Sequence, residues 1–369
     1  MSYVLPTLPA PAVPDIYEKS AETMNWLRTK IRVGYTDQRG PAWWAAGALT
    51  KDGTWDTIPD GSHFDGPVPM EVVLDLLDIP LVKGIVFAQY TDEDGQRQIA
   101  TDTDTAPIIN ARTGQIFGYP KQGYKIHPYI ETLKGFIDAI TDDSDVGVGS
   151  VGLLRKDGVA FLQAVLPEHF EVAGYGYQPY LTAVTSADQT RKTTYGTGAK
   201  GAVCDNTVDA AVRGALTQLG IRHTRNSGVS VQAAREKLGI QLIQASDVIG
   251  DAIRELVEVK VSEKQFGQWL DLAVPLVNPD GTRKDGKGLT MAGNRRDEMT
   301  RLWTEDPKAA PWRNTGLGVL QVANTYRTWS GIVKGADGGR MEANFTHDVF
   351  GKTAKADTEA MELLAKVLA

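Results

Sequence analysis

The chain has 369 residues, a formal net charge of -7, 42% hydrophobic residues and 23% charged residues, which is typical of a globular protein of more than one packed layer or subdomain. The single cysteine, Cys204, excludes an intramolecular disulfide framework and a cysteine-rich zinc site. The sequence contains neither an apolar run of membrane-spanning length nor a secretory signal, so we expect a cytoplasmic protein without a membrane segment.

Prolines are concentrated in the first fifteen residues, at positions 6, 9, 11 and 14. Proline fixes the backbone and removes a hydrogen-bond donor, so we expect an extended Pro-rich arm over residues 1–15. A helix is predicted over residues 15–31. Apolar residues at helical spacing predict a second, short helix over Val68–Leu77.

Short strands are predicted next. The apolar stretch Lys83–Tyr90 is typical of a strand, and the turn residues Asp92–Gly95 close it. Two further strands, around Ile108 and Ile116, flank another turn. An amphipathic helix is predicted over residues 128–140, where apolar side chains recur at helical spacing.

The middle of the chain is rich in β-strand signals. The turn Lys156–Gly158 separates two apolar runs and indicates a β-hairpin. The predicted strand segments are residues 146–154, 159–166, 180–187, 190–196 and 199–203.

Helical patterns follow Val203. Asp205 or Asn206 can cap a helix that ends at Gly220. Further helices are predicted over residues 229–258, 262–273, 291–304, 316–330 and 346–368. We therefore predict an α+β fold, with an antiparallel β-sheet and packed helices in the N-terminal part and a helical C-terminal part. The predicted organisation is an extended arm over residues 1–15, an α+β core over 16–228 and a helical region over 229–369.

No catalytic motif is present. The segment Gly196–Gly201, GTGAKG, matches the dinucleotide fingerprint formally, but Ile221 stands where its acidic ribose contact would be, so a flexible Gly-rich connection is the preferred interpretation. The five histidines show no metal-binding spacing, and the acidic clusters are typical of solvated turns. We therefore expect no enzymatic activity, no metal site and no cofactor.

The concentrated positive charge lies between Arg191 and Lys237, which we call the basic segment. It carries eight basic and three acidic side chains, a net charge of +5. Cationic side chains with an aromatic neighbour are typical of a single-stranded nucleic-acid site, whereas a solvated rim or inter-subunit ion pairs are the structural alternatives. The candidate nucleic-acid-binding residues are Arg191, Lys192, Tyr195, Lys200, Arg213, Arg222 and Arg225.

Six separated motifs resemble one family. They are Thr113–Tyr129, Gly149–Glu168, Pro179–Ser186, Gly201–Ala215, Ile221–Thr224 and Trp312–Trp329. Their order is similar to that of the phage/plasmid-like family built on domain of unknown function 932, over roughly residues 110–330. The family's element order, strands followed by a helix with basic residues at the junction, is in turn similar to that of phage single-strand annealing recombinases.

These observations lead to two functional hypotheses. The first is a single-stranded DNA-binding and annealing protein of a phage or mobile element, which acts as a homo-oligomer in the bacterial cytoplasm and assists recombination or replication. It would bind the phosphate backbone without sequence preference. The alternative is an early phage effector that binds a host protein and uses the basic segment for self-assembly.

Overall fold

The computed structural model describes residues 29–35, 62, 64–133, 146–165, 170–201, 219–221, 249–306, 309–331 and 339–369. Its strands are β1 (Lys30–Val33), β2 (Leu81–Lys83), β3 (Val86–Thr91), β4 (Arg97–Asp102), β5 (Ile108–Asn110), β6 (Ile116–Gly118), β7 (Gly147–Leu154), β8 (Val159–Val165), β9 (Phe170–Val172), β10 (Tyr175–Ser186), β11 (Thr193–Gly201) and β12 (Leu219–Ile221). Its helices are α1 (Met70–Leu77), α2 (Glu263–Ala273), α3 (Gly286–Glu305), α4 (Gly316–Thr325), α5 (Gly339–Val349) and α6 (Lys352–Leu368), and residues 129–133 and 249–258 are also helical.

A seven-stranded sheet forms the centre of the fold. Its strand order is β1-β7-β8-β10-β11-β12, with β9 paired to β10, and all of its pairings are antiparallel. A three-stranded sheet (β2-β5-β6) and the separate hairpin β3–β4 complete the described strands. These antiparallel sheets, followed by helices, confirm the predicted α+β class.

One face of the central sheet packs against helices from the N-terminal half. Side chains in a strand alternate between the two faces, and Val151, Leu162 and Leu181 belong to the same buried cluster. Leu77 of α1 and Leu133 complete this cluster and are fully buried. Burial of this apolar surface is the main favourable term that joins α1 to the sheet.

The opposite face of the sheet packs against α5, which lies near the end of the chain. Phe345 and Val349 of α5 contact a cluster that includes Ile31 and Phe161. The rings of Phe161 and Phe345 stack with their centroids 5.3 Å apart. The two predicted parts of the chain therefore share a core.

Aromatic side chains form the core of the C-terminal helices. Phe266 stacks on Trp303 with a centroid distance of 4.2 Å and on Trp269 at 5.7 Å. The indole nitrogen of Trp269 donates to the carbonyl oxygen of Ala360 at 3.0 Å, and that of Trp303 donates to the Glu263 carboxylate at 3.1 Å. Trp269 and Trp303 are therefore core residues of the C-terminal helices, each with its indole N–H paired to a hydrogen-bond acceptor.

Several local predictions are confirmed. The helix predicted over Val68–Leu77 is α1, and the strand followed by the turn at Asp92–Gly95 is β3. The short strands around Ile108 and Ile116 are β5 and β6, which pair antiparallel. The hairpin predicted at Lys156–Gly158 joins β7 to β8.

Three local predictions are wrong in part. Residues 30 and 31, predicted as the end of a helix, belong to strand β1, because the alternating burial of Ile31 and Val33 follows a period of two. The glycine-rich segment 196–201 is not a flexible connection but the last six of the nine residues of strand β11, paired with β10 over its whole length. Leu219, predicted in the last turn of a helix, lies in strand β12.

The last predicted helix, residues 346–368, is two helices. Gly351 separates α5 from α6 in a left-handed conformation, φ 68°, which glycine adopts without steric cost. The Pro-rich arm and the boundary predicted between residues 228 and 229 lie outside the described residues. Within the part of the chain that the structure describes, no helix is both long and apolar enough to span a membrane.

The contact between α5 and the sheet is testable by truncation of Phe345. We expect Phe345→Ala to lower the free energy of unfolding by about 3–5 kcal/mol, because it leaves a cavity against Phe161. Urea denaturation followed by fluorescence measures the change. Met291→Ala, at an exposed position of α3, is the matched control and should cost less than about 0.5 kcal/mol. Equal losses in the two variants would contradict this account of the core.

Candidate nucleic-acid interface

Two hairpin turns lie side by side at one end of the central sheet. The β7–β8 turn comprises residues 155–158 and the β10–β11 turn comprises residues 187–192. The backbone nitrogens of Ala187 and Asp188 both donate to the carbonyl oxygen of Gly158, at 2.8 and 3.2 Å. We call this region, together with the adjacent Phe350, the turn end of the sheet.

The β7–β8 turn is held by contacts from outside the hairpin. Arg155, Lys156 and Asp157 have φ values of 53°, 55° and 67°, a left-handed conformation that is uncommon for side chains other than glycine. The phenol of Tyr129 donates to the Asp157 carbonyl oxygen at 2.8 Å, and Lys30 Nζ lies 2.6 Å from the Asp157 carboxylate. Left-handed backbone conformations of this kind persist only where surrounding contacts hold them. The contacts from Tyr129 and Lys30 therefore keep this turn in one conformation.

The β10–β11 turn is organised by Asp188. Its carboxylate accepts hydrogen bonds from the backbone nitrogen of Thr190 at 2.9 Å and from Arg155 Nε at 2.8 Å. Ser186 Oγ donates to the Arg191 carbonyl oxygen at 2.9 Å and accepts from the Arg191 nitrogen at 3.1 Å. The backbone of Arg191 is therefore held in place before any ligand binds.

The Arg191 side chain stacks on Phe350. Its guanidinium carbon lies 4.3 Å from the centroid of the ring, and that of Arg155 lies 6.0 Å from the same centroid. Partial burial lowers the pKa of Arg191. Among the described residues, no carboxylate lies within salt-bridge distance of Arg191 or of the exposed Lys192. Arg191 is thus a partly desolvated cation whose described contact is an aromatic ring.

The structure brings two of the predicted binding residues together and separates a third. Arg191 and Lys192 are adjacent at the turn end. Lys200 lies at the other end of β11, with its backbone opposite Gln178, about 25 Å along the strand from Lys192. Arg213, Arg222 and Arg225 lie outside the described residues.

Tyr195 was predicted as the aromatic partner of a base, and the structure contradicts this role. Its side chain is fully buried in the core between the sheet and α1, in the same cluster as Leu181 and Ala183. A ring in this position presents no face to a base. Phe350 is the aromatic residue that contacts Arg191 instead.

Sequence reasoning did not find Arg155 and Phe350. Arg155 immediately precedes the predicted turn Lys156–Gly158, and the turn signal gives no indication that its side chain contacts the neighbouring hairpin turn. Phe350 was placed inside a single predicted helix, and no local pattern indicates that it contacts a turn of the central sheet. This contact depends on long-range packing.

A small polar pocket lies on the α5 face of the sheet. Gln163 accepts a hydrogen bond from Ser150 Oγ at 2.6 Å and donates to the Asp348 carboxylate at 2.9 Å, and Tyr180 Oη donates to the same carboxylate at 3.1 Å. The pocket has space for about one water molecule, which is too small for an organic substrate. Elsewhere in the described ranges, no three His, Cys, Asp or Glu side chains are grouped to hold a metal ion.

The stacked arginine offers a test that separates a binding role from a structural one. We expect Arg191→Met to change the free energy of unfolding by less than about 1 kcal/mol. The methionine side chain can keep the apolar contact with Phe350, and the substitution removes a partly desolvated charge.

Arg327→Met is the comparison variant. Arg327 pairs at 2.9 Å with Asp357, which is 0% exposed, so this change leaves a buried carboxylate without its cation and should cost about 3 kcal/mol or more. Thermal and urea denaturation measure both effects. A loss of similar size for Arg191→Met would show that Arg191 is a structural residue.

The comparisons with known proteins are consistent with the sequence motifs. The family model for DUF932, a domain of unknown function, matches residues 117–350, which is more than half of the chain. The match begins in β6 and ends at Phe350, so it includes both turns of the turn end. No curated protein and no solved structure matches the chain. The chain therefore belongs to the DUF932 family.

Proposed function

We propose that this protein binds single-stranded DNA along β11, with the turn end as one anchor, and assists annealing during recombination or replication of a phage or mobile element. It acts as a homo-oligomer in the bacterial cytoplasm, without a cofactor. The observation that supports this proposal is the stacked and partly desolvated Arg191, which has no described carboxylate partner.

A phosphate group fits this arginine chemically. The guanidinium group is planar, and stacking on Phe350 engages its face while leaving N–H groups at its edge for an anion. Partial burial of a cation without an anion is unfavourable, which is the cause of the lowered pKa of Arg191. A phosphate oxygen would supply the missing negative charge through charge-assisted hydrogen bonds.

The strand β11 provides a route for the rest of the DNA. Lys192 and Lys200 lie at its two ends, and Gly196 and Gly198 occupy the positions between, opposite Thr182 and Tyr180. Glycine within a strand permits close approach of another backbone, because there is no Cβ atom. A polynucleotide lying along this strand would extend from Lys192 to the backbone position of Lys200, about 25 Å away.

Backbone contacts of this kind suit an annealing function. Cations that neutralise phosphates carry no sequence information, so the base edges stay free to find a complement. Guanidinium planes such as those of Arg191 and Arg155 also stack on unpaired bases. Both interactions tolerate any sequence.

The proposal predicts salt-sensitive binding that depends on the turn end. We expect Arg191→Ala combined with Lys192→Ala to weaken binding of a labelled oligonucleotide about tenfold or more at low salt, because two charge-assisted contacts are lost. The slope of log affinity against log salt should become shallower by about 1.4, since each phosphate contact on a single strand contributes about 0.7. Fluorescence anisotropy measures both quantities.

The matched control is Lys264→Ala with Lys287→Ala. Both lysines are exposed on the C-terminal helices and carry the same total charge as the tested pair. This variant should bind within about twofold of the parent protein. The proposal would be contradicted if the parent protein does not bind the oligonucleotide at low salt. It would also be contradicted if the turn-end variant and the control variant lose the same amount of affinity.

The second candidate is the early effector that binds a host protein. The described feature that favours it is the acidic hairpin β3–β4, whose apolar side chains are exposed. We expect tagged protein to retain a host protein after nuclease treatment if this candidate is correct. If DNA is the true ligand, nuclease treatment should release the co-purified material, and a high-salt wash should lower the ratio of absorbance at 260 nm to that at 280 nm.

A further inference from the structure

The hairpin β3–β4 exposes large apolar side chains on one face. Phe87 is 68% exposed and Ile99 is 70% exposed. Phe87 pairs with Thr101, and Ile99 pairs with Gln89. Side chains alternate along a strand, so Phe87 and Ile99 lie on the same face, with these two uncharged side chains opposite them. We call this the apolar face of the hairpin. Its burial against a partner would lower the free energy.

The tip of the hairpin, residues 92–97, is acidic. It carries Asp92, Glu93 and Asp94 together with Arg97, which is three carboxylates and one guanidinium, a net charge of -2. The Asp92 carboxylate accepts hydrogen bonds from the backbone nitrogen of Gln96 at 2.7 Å and from the Gln98 side chain at 2.9 Å. These bonds hold the turn in place, whereas Glu93 and Asp94 are exposed. The tip therefore repels the phosphate backbone of a nucleic acid.

The base of the hairpin, where it joins the sheet β2-β5-β6, carries the opposite charge. Lys83 ends β2, three residues before β3, and its Nζ donates to the carbonyl oxygen of Gln122 at 2.5 Å. Lys121 forms a β-bridge with Thr105, which follows β4. Both lysines are exposed. The ionisable residues of the base are Lys83, Asp102, Asp104, Lys121 and Lys125, a net charge of +1.

The length of the hairpin keeps its two charged ends apart. Each strand has six residues, which places the tip about 20 Å from the base. This separation exceeds the Debye length of about 10 Å at 0.1 M salt, so the tip interacts only weakly with the base of its own chain. The charges at the two ends are therefore available to a partner.

The hairpin is complementary to itself after a rotation of 180°. A two-fold contact between identical chains uses the same patch on both, and here two apolar faces can pack on each other. With the hairpins parallel, the two acidic tips would meet and repel. With the hairpins antiparallel, the tip of each copy lies over the base of the other, where Lys83 and Lys121 are located. Electrostatics therefore selects the antiparallel arrangement.

We propose that two copies of this chain associate through the hairpin β3–β4, with the apolar faces in contact and the hairpins antiparallel. The acidic tip of each copy then lies against the lysines at the base of the other. The inference rests on the homo-oligomer of the proposed function and names the element that forms its contact. A second copy is favoured over a different protein because the one hairpin supplies both halves of the apolar contact and both signs of charge.

The size of the hairpin sets the expected strength of this dimer. Residues 85–102 are fewer than the roughly 20–30 residues that each side of a standard protein interface contributes. A two-stranded hairpin alone is also only marginally stable, so mutual coverage stabilises it. We expect a dimer in equilibrium with the protomer at about micromolar concentration, with a mass twice the 40.0 kDa of the chain.

Substitutions on the apolar face test the contact without disturbing the core. We expect Phe87→Ser with Ile99→Ser to weaken association about tenfold or more, because two large apolar side chains no longer leave water. Sedimentation velocity over a dilution series measures the change. Met291→Ser, at an exposed position of α3, is the matched control and should associate like the parent. A parent protein that stays a protomer, or equal association of the apolar-face variant and the parent, would overturn the proposal.

Reversal of charge at either end tests the antiparallel arrangement. The tip variant is Glu93→Lys with Asp94→Lys, and the base variant is Lys83→Glu with Lys121→Glu. Each alone should associate about tenfold or more weakly than the parent at low salt, because like charges then meet at both ends. An equimolar mixture of the two should recover association, since a dimer with one chain of each pairs opposite charges at both ends. A mixture that stays as weak as its components would contradict the arrangement.

Photo-crosslinking identifies what the apolar face contacts. With p-benzoylphenylalanine at position 87, we expect a crosslinked dimer whose second peptide lies within residues 85–102 of the other copy. A crosslink to a peptide outside the hairpin, a crosslink within one chain, or a crosslink to a host protein in lysate would each overturn the proposal. This measurement does not depend on the charge-reversed variants, so it decides the matter even where those variants fold poorly.

Oligonucleotide binding of the same variants separates this inference from the proposed function. Apolar-face variants that lose association but keep binding that depends on Arg191 and Lys192 support both proposals. Apolar-face variants that associate like the parent overturn the hairpin contact and leave DNA binding unaffected. A parent protein that associates through the hairpin but binds no oligonucleotide contradicts the proposed function alone.

Discussion

The packing of α5 on the central sheet is the constraint on which the candidate site depends. Phe345 stacks on Phe161, and α5 ends at Val349, so that Phe350 lies in the turn before the left-handed Gly351. These two features together fix Phe350 at the turn end, where it meets Arg191. A side chain near the end of the sequence thus completes a surface whose other members lie in two hairpin turns. Any change that releases α5 would remove the aromatic contact and uncover the apolar cluster around Ile31 and Phe161.

The parts of the fold that sequence predicted well are those decided by local chemistry. The turn at Lys156–Gly158 and the helix Met70–Leu77 each carry their own signal within a few residues. Strand β11 was predicted only in two pieces, residues 190–196 and 199–203, because glycine has low β-propensity and three glycines occur in residues 196–201. Pairing with the long strand β10 outweighs that preference, and pairing with a distant segment is not visible in a short window. The same reason explains β1, whose partner is β7.

The candidate site likewise has residues that local sequence chemistry indicates and residues that only tertiary packing brings into place. Arg191 and Lys192 were proposed from charge alone and were predicted in a strand, residues 190–196, whereas the structure places them at the end of the β10–β11 turn, with Lys192 exposed and Arg191 half-buried. The burial of Tyr195 follows from the alternation of a strand, because Tyr195 shares a face with Thr193, and that face is the one covered by α1. A count of basic and aromatic residues cannot supply this information. The aromatic partner of Arg191, Phe350, comes from tertiary packing, which no spacing rule for a local motif encodes.

The uneven distribution of charge bears directly on the proposed function. Residues 191–237 carry a net charge of +5 in a chain of net charge -7. In the proposed function, strand binding relies on phosphate contacts, whose free energy falls steeply as salt rises because binding releases counterions. The packing of α5 on the sheet is apolar and is not weakened by salt. Rising ionic strength would therefore weaken the proposed phosphate contacts of Arg191 and Lys192 while the packing that positions Phe350 against Arg191 holds.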